Sequence, residues 1–196
     1  MLIEGMRNDD GIWEWSDDRI FGESKSSDAI LNEVALLAPD GGDIVYALGR
    51  ETGEVWQSQD RGETWTVIGR QGALQQPKLL QVDDNKIFAA YVKPTIPRPV
   101  YGKMFYPEHG WDATTEKLIY QFPGGAGDGR SDYDMGNPDA VLTNDGKLLT
   151  VYYSGVTRSI RGNLSDLDEW NIPALDESLE VTGGEQRLTV FEDDFD

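Results

Sequence analysis

Four residues whose side chains could handle a carboxylate or a proton stand at the ends of predicted strands. They are Glu33, Arg50, Arg98 and Asn137. Arginine presents a planar fork of N–H groups that can pair with a carboxylate at two points, and a glutamate can act as a general base. Alternate strand ends of an antiparallel sheet lie at the same edge. The direction of the chain therefore predicts that these four residues share one edge of the fold.

The elements that must position them are predicted to be β-strands. Short alternating or apolar runs are separated by clusters of Gly, Asp, Asn and Pro, and no run has a convincing helical period. Three dipeptides favour tight hairpin turns, namely Asp40-Gly41, Asp84-Asn85 and Asp145-Gly146. The clearest strand runs are Val34–Leu37, Ile44–Leu48, Val55–Gln57, Trp65–Ile68, Lys78–Val82, Lys86–Val92, Tyr101–Tyr106, Lys117–Phe122, Asp139–Thr143, Lys147–Tyr153, Arg158–Asn163 and Arg187–Phe191.

A weak internal repeat organises these runs. Residues 36–41, 79–84 and 141–146 each read as a strand that enters a hairpin, and each is followed later by a tryptophan after a polar turn: Trp65, Trp111 and Trp170. Units of four antiparallel strands repeated in this way are typical of β-propeller blades. An irregular β-sandwich is the alternative architecture.

We therefore predict one all-β, propeller-type domain over residues 1–196. A partial blade is expected at about 1–16, with four-stranded blades at about 30–70, 77–122 and 137–191. About three and a half blades do not obviously close a ring, and open sheet edges invite pairing. The expectation is a homo-oligomer or a partner chain that completes the propeller.

Composition excludes several classes of function. The net charge of −19 opposes binding to nucleic acid or to anionic membranes. The absence of cysteine excludes disulfides and thiolate metal sites, and the single histidine, His109, does not make a zinc site by itself. No metal or cofactor is predicted. No segment has the pattern of a signal peptide or of a transmembrane helix, so the sequence predicts no membrane insertion and assigns no compartment.

One eight-residue motif is more specific than the rest. Residues 58–65 read Ser-Gln-Asp-Arg-Gly-Glu-Thr-Trp and fit the pattern S-x-D-x-G-x-T-W at every fixed position: Ser58, Asp60, Gly62, Thr64 and Trp65. The motif suits a tight turn, because an aspartate can accept backbone N–H groups, a glycine can adopt positive φ, and a tryptophan can bury its ring against a neighbouring blade. We assign it a structural role. Segments 106–111 and 165–170 are degenerate copies, and residues 8–13 resemble a worn one.

The motif resembles the Asp box, or BNR repeat, of sialidase-like β-propellers, and the resemblance extends over about residues 31–170. Glu33 followed by Arg50 is similar to a family segment in which a glutamate begins one inner strand and an arginine ends the next. The stretch from Arg98 to Gly102 resembles a segment that carries another arginine of the family's carboxylate-binding triad. The stretch from Asp134 to Pro138 resembles the family's D-x-G-Y-P segment.

This resemblance implies a carbohydrate ligand and the exo-glycosidase chemistry of sialidases. Its expected ligand-binding residues are Arg50, Arg98, Asp134 and Asn137, with Glu33 as the base that activates a tyrosine nucleophile. The chain departs from the family at the nucleophile position, where Asn137 stands; Tyr133 is the candidate substitute. Two functions therefore stay open. One is a sialidase-like glycoside hydrolase or a part of one, and the other is a non-catalytic glycan-binding or assembly module.

Overall fold

The computed structural model describes residues 5–15, 33–95, 98–121, 135–155, 157–170 and 189–194, and the chain is all-β. This confirms the all-β class predicted from the strand runs, and the described residues contain no α-helix. The strands are β1 Gly5–Arg7, β2 Trp13–Trp15, β3 Val34–Leu37, β4 Val45–Gly49, β5 Glu54–Ser58, β6 Thr66–Arg70, β7 Gln75–Asp83, β8 Lys86–Val92, β9 Val100–Tyr106, β10 Gly110–Trp111, β11 Lys117–Tyr120, β12 Met135–Leu142, β13 Lys147–Ser154, β14 Ser159–Asp166 and β15 Thr189–Asp194.

The strands form three larger antiparallel sheets and one hairpin. Sheet 1 has the order β3-β4-β5-β6, and sheet 3 has the order β12-β13-β14-β15. Sheet 2 has the order β7-β8-β9-β10, with β11 also paired to β9. The separate hairpin joins β1 to β2. In sheets 1 and 3 every strand pairs with the next strand along the chain.

Sheet 2 lies between the other two sheets and packs on both. The β13 strand shows why, because its residues alternate between partly exposed and buried, and Leu148 and Tyr152 on its buried face pack against Phe88 of sheet 2. The opposite face of sheet 2 packs against sheet 1. The buried residues of that second cluster are Ala35, Tyr46, Leu48, Val55, Leu74, Leu79, Ile87, Ala89, Tyr91 and Phe105.

The predicted hairpin turns have different outcomes. Asp84-Asn85 forms a two-residue connection between β7 and β8, since Asp83 pairs with Lys86 across it. Asp40-Gly41 also lies in a hairpin connection, since β3 pairs with β4 across it and Gly41 has positive φ (65°), but this connection is longer than two residues. Seven residues, 38–44, connect β3 to β4, and they include a 3-10 turn over Pro39–Gly41. A proline at the start of that turn has its φ fixed near the helical value, which suits a 3-10 turn better than a two-residue hairpin.

No helix in the part of the chain that the structure describes is long and apolar enough to cross a membrane.

Candidate functional site

The first strands of the three sheets begin at a common edge. In each sheet the start of the first strand pairs with the end of the second, as Val34 does with Gly49 and Gln75 does with Val92. The first strand of sheet 2, β7, contacts both β3 and β12. Glu33, Gln76 and Asn137, which open these three strands, are linked by hydrogen bonds described below. We call this side of the molecule the groove edge.

Glu33 and Arg50 form an ion pair at the groove edge. Arg50 Nη1 lies 3.0 Å from Glu33 Oε1, and Arg50 Nε donates to Glu51 Oε1 at 2.9 Å. The backbone supports the pair, because Arg50 N donates to Glu33 O at 2.9 Å. The guanidinium of Arg50 is therefore already neutralised by two carboxylates.

Gln76 connects the three first strands, and the sequence had not indicated it. Its backbone N–H donates to Glu33 Oε2 at 3.0 Å, and its side-chain Oε1 accepts from the Asn137 N–H at 2.8 Å. Glu33 in sheet 1, Gln76 in sheet 2 and Asn137 in sheet 3 thus form one hydrogen-bonded chain. The Glu33 carboxylate accepts from both Arg50 and Gln76.

Two of these strands begin with the same distortion. Gln76 and Asn137 each precede a proline, each has positive φ (50° and 41°), and each lies within an irregularity of strand pairing. Gly136 has φ of 114°, and a Cβ there would lie 2.2 Å from Gln76 Oε1, so the close approach requires glycine. The signal that could have revealed Gln76 is its place before Pro77, equivalent to that of Asn137 before Pro138.

An open groove of about 390 Å³ runs along this edge. The groove contains two carboxylates, Glu33 and Asp139, and Lys78 is paired to Asp139 at 2.8 Å. Glu33 keeps 45% of its side chain exposed and Asp139 keeps 60%. The groove therefore offers accessible carboxylate oxygens to a ligand, while both of its nearest cations already have partners. The residues that line it are Glu33, Val34, Gln76, Pro77, Lys78, Asn137, Pro138 and Asp139.

The structure brings together some of the sequence-predicted site residues. Glu33, Arg50 and Asn137 lie at the groove edge, and Asn137 is exposed. Arg98 lies on the connection between β8 and β9, which belongs to the same edge by strand direction, but it does not line the groove. Tyr133 and Asp134 lie outside the described residues.

The motif at residues 58–65, which resembles the Asp box and is called by that name below, forms the connection between β5 and β6 at the opposite edge from the groove. Asp60 Oδ1 accepts from the Thr64 N–H at 2.8 Å and from the Ser58 hydroxyl at 2.7 Å, and Asp60 Oδ2 accepts from the Thr64 hydroxyl at 2.7 Å. Ser58 Oγ accepts from the N–H of Gly62 at 2.7 Å. The box is thus a closed hydrogen-bonded turn with no side chain directed at the groove.

Trp65 differs from its predicted packing. Its ring lies against Trp56 and Ala47 of sheet 1 itself, and its indole N–H donates to Gly62 O at 3.0 Å. The motif predicts instead that this ring packs against a neighbouring blade. The hydrogen bond to Gly62 holds the ring over its own turn.

The turn of the β1–β2 hairpin has a bond like that of the box. Asn8 Oδ1 accepts from the Ile12 N–H at 2.9 Å, four residues on, as Asp60 does from Thr64. The segment 165–170 is built differently, because Trp170 Nε1 donates to Ser165 Oγ at 2.9 Å.

We expect Asp60→Asn to remove part of the acid sensitivity of the fold. The hydrogen bonds from Thr64 and Ser58 lower the pKa of Asp60 from 3.8 to about 2. A carboxyl group whose pKa is lower in the folded than in the unfolded state stabilises the fold above the unfolded value. That stabilisation is lost as pH falls from about 4 through about 2.

Urea unfolding between pH 2 and pH 7 measures this effect. The difference in unfolding free energy between wild type and Asp60→Asn should be constant above about pH 5 and shrink towards pH 2. Asp10→Asn, at an exposed turn outside the box, is the control and should follow the wild-type profile. A difference that does not change with pH would refute the role of the Asp60 charge.

Among the described residues, no group of three or more His, Asp or Glu side chains is arranged to hold a metal ion. Comparison of the chain with protein-family models, with curated proteins and with solved structures found no match.

Proposed function

We propose that the chain is a sialidase-like, glycan-directed protein whose three sheets are consecutive blades of a β-propeller. Two observations support this architecture. Sheets 1 and 3 are simple four-stranded meanders, and the first strand of the middle sheet contacts the first strands of its neighbours, as inner strands do around a propeller axis. The segment that resembles the Asp box, on the β5–β6 connection, forms a closed turn whose hydrogen bonds use Ser58, Asp60 and Thr64.

The proposed ligand-binding site is the groove that joins the first strands. The hydrogen bonds that link Glu33, Gln76 and Asn137 connect all three sheets along the groove. Carboxylate oxygens accept hydrogen bonds from hydroxyl groups, and sugar hydroxyls supply such donors at close spacing. We therefore place the glycan against Glu33 and Asp139.

The charges favour a neutral sugar over a sialoside. Arg50 is paired with Glu33 and Glu51, and Lys78 is paired with Asp139. A sialoside carboxylate would have to displace one of these carboxylates from its cation, within a chain of net charge −19. A neutral glycan requires no such exchange.

Binding without hydrolysis is the function that this geometry supports best. Asn137 occupies the position of the family's nucleophilic tyrosine, and an amide is not a nucleophile for this reaction. The Glu33 carboxylate accepts from Arg50 and Gln76, an arrangement that suits a fixed acceptor of hydrogen bonds.

Glu33→Gln tests the proposal by calorimetric titration with a panel of neutral and sialylated oligosaccharides. Loss of a hydrogen bond to a charged acceptor costs about 1.5–3 kcal/mol, so affinity for a neutral glycan should fall roughly tenfold or more. Glu63→Gln, in the Asp box at the opposite edge, should bind like wild type. Absence of binding to every glycan, or equal binding by Glu33→Gln, would refute the proposed site.

Release of fluorophore from an aryl sialoside distinguishes binding from turnover. We expect no release by the wild-type chain. Release that is lost in Glu33→Gln would show a hydrolase with a nucleophile other than Asn137.

A second candidate function is assembly, which a separate observation favours. The face of sheet 3 that points away from sheet 2 has two large apolar side chains about half exposed, Val141 at 51% and Ile160 at 48%. A further copy or partner chain seated there would bury them. Native mass spectrometry should then show a complex, and a monomer at all concentrations would count against assembly.

A further inference from the structure

The two ion pairs beside the groove expose their carboxylates more than their cations. Arg50 keeps 23% of its side chain exposed against 45% for its partner Glu33, and Lys78 keeps 40% against 60% for Asp139. Among the described residues, Lys78 is the only cation that lines the groove. A ligand in the groove therefore meets more exposed negative than positive charge, in a chain whose net charge is −19.

Asp139 also has an oxygen that is available to a ligand. Its contacts with the protein are made by Oδ1, which lies 2.8 Å from Lys78 Nζ and accepts from the Ala140 N–H at 2.8 Å. Within the described part of the chain, Oδ2 accepts no hydrogen bond. An ionised carboxylate can accept at both oxygens, so Asp139 can bind a donor of the ligand without releasing Lys78.

The carboxamide of Asn137 adds an acceptor to the same stretch of the groove. Asn137 is exposed, stands two residues before Asp139 on β12, and lines the groove with it. Its backbone N–H is held by Gln76, whereas its side-chain amide makes no hydrogen bond with any residue that the structure describes. An ammonium group has three donors and no acceptor, so it matches a groove lined by carboxylate and carboxamide oxygens.

We propose that the groove binds a glycan in which one sugar carries a free, protonated amino group. The ammonium lies against Asp139, where Oδ2 accepts from it, and Asn137 Oδ1 supplies a second acceptor. The hydroxyls of the glycan donate to Glu33. This inference rests on the proposed glycan-binding function and names the class of sugar. Acetylation of the amine removes its charge and two of its donors, and therefore weakens binding.

Calorimetric titration with one trisaccharide in two forms tests the proposal. A single hexosamine of the trisaccharide carries a free amino group in one form and an N-acetyl group in the other. The free amine should bind the wild-type chain roughly fivefold more tightly, as expected for one exposed ion pair. This preference should shrink as salt is added, because salt screens exposed charges.

Asp139→Asn should bring the two affinities to within about twofold, because the variant keeps the shape of the side chain and removes its charge. Asp84→Asn is the matched control. It removes the same charge from the turn between β7 and β8, at the opposite edge from the groove, and should keep the wild-type preference. If Asp139→Asn does not fold, Lys78→Met gives a second test, since removal of the cation that pairs with Asp139 should increase the preference for the free amine.

The outcomes separate this inference from the glycan-binding function itself. Equal binding of the two forms by the wild type, or an unchanged preference in Asp139→Asn, would overturn the amino-sugar assignment while the glycan-binding groove stands. A preference that Asp84→Asn also loses would show attraction by the net charge and would overturn it too. Displacement of the trisaccharide by an equal concentration of a simple alkylamine would show that the sugar is not recognised. Binding of neither form would refute the groove as well.

Discussion

Replacing Trp170 by alanine is expected to lower the free energy of unfolding by about 3–5 kcal/mol. Trp170 is 4% exposed and lies at the end of the 3-10 turn that follows β14. Its ring meets Phe88 of sheet 2 edge to face, with centroids 5.0 Å apart. Alanine would leave a large cavity between sheets 2 and 3, and the two rigid sheets could relax only partly around it.

Urea unfolding of the wild type and two variants measures this effect. Trp170→Phe keeps a ring against Phe88 but loses the hydrogen bond to Ser165, which is worth about 0.5–1.5 kcal/mol. Its loss should therefore be clearly smaller than that of Trp170→Ala. Equal losses in the two variants would show that the ring does not join the sheets.

Gly102→Ala is expected to destabilise the same junction by about 1–3 kcal/mol through overpacking. A Cβ at Gly102 would lie 2.6 Å from Cε2 and Cζ of Phe88 and 2.7 Å from Cη2 of Trp170. These atoms belong to buried rings that have no room to move. The glycine on β9 thus allows the rings of sheets 2 and 3 to lie against the strand.

Gly162→Ala is the matched control for Gly102→Ala. Gly162 is also in a strand, β14, but its Cβ would meet nothing closer than Leu149 Cδ1 at 3.4 Å. Alanine there should be neutral or stabilise by up to about 1 kcal/mol, because it restricts the unfolded chain. The thermal unfolding temperature should therefore fall for Gly102→Ala and stay unchanged or rise for Gly162→Ala. A similar shift for both would mean that ring packing does not decide the cost at Gly102.

The strands could be predicted from the sequence because the residue patterns that indicate a strand lie within the strand and at its two ends. The runs at Val34–Leu37 and Lys86–Val92 coincide with β3 and β8, since apolar alternation and turn residues mark both ends. The connection after β3 could not be predicted in the same way. Asp40-Gly41 has hairpin chemistry, but Pro39 and the seven-residue length of the loop produced a 3-10 turn.

The sequence predicted residues of the candidate site only where the direction of the strands determines which residues lie together. Glu33 and Arg50 are at the start of one strand and the end of the next, so antiparallel pairing alone brings them together. Gln76 was missed because it acts through its backbone N–H and an amide side chain, and such a role depends on a neighbouring strand many residues away.

The most direct test of the glycan-binding groove is to map a bound neutral oligosaccharide by backbone amide resonances. The amides of Gln76 and Asn137 donate within the groove edge, whereas those of Gly62 and Thr64 donate within the Asp box at the opposite edge. We expect saturable shifts of the first two amides and none of the last two. No saturable shift of Gln76 and Asn137 with any glycan, or equal shifts at both edges, would contradict a binding site in the groove.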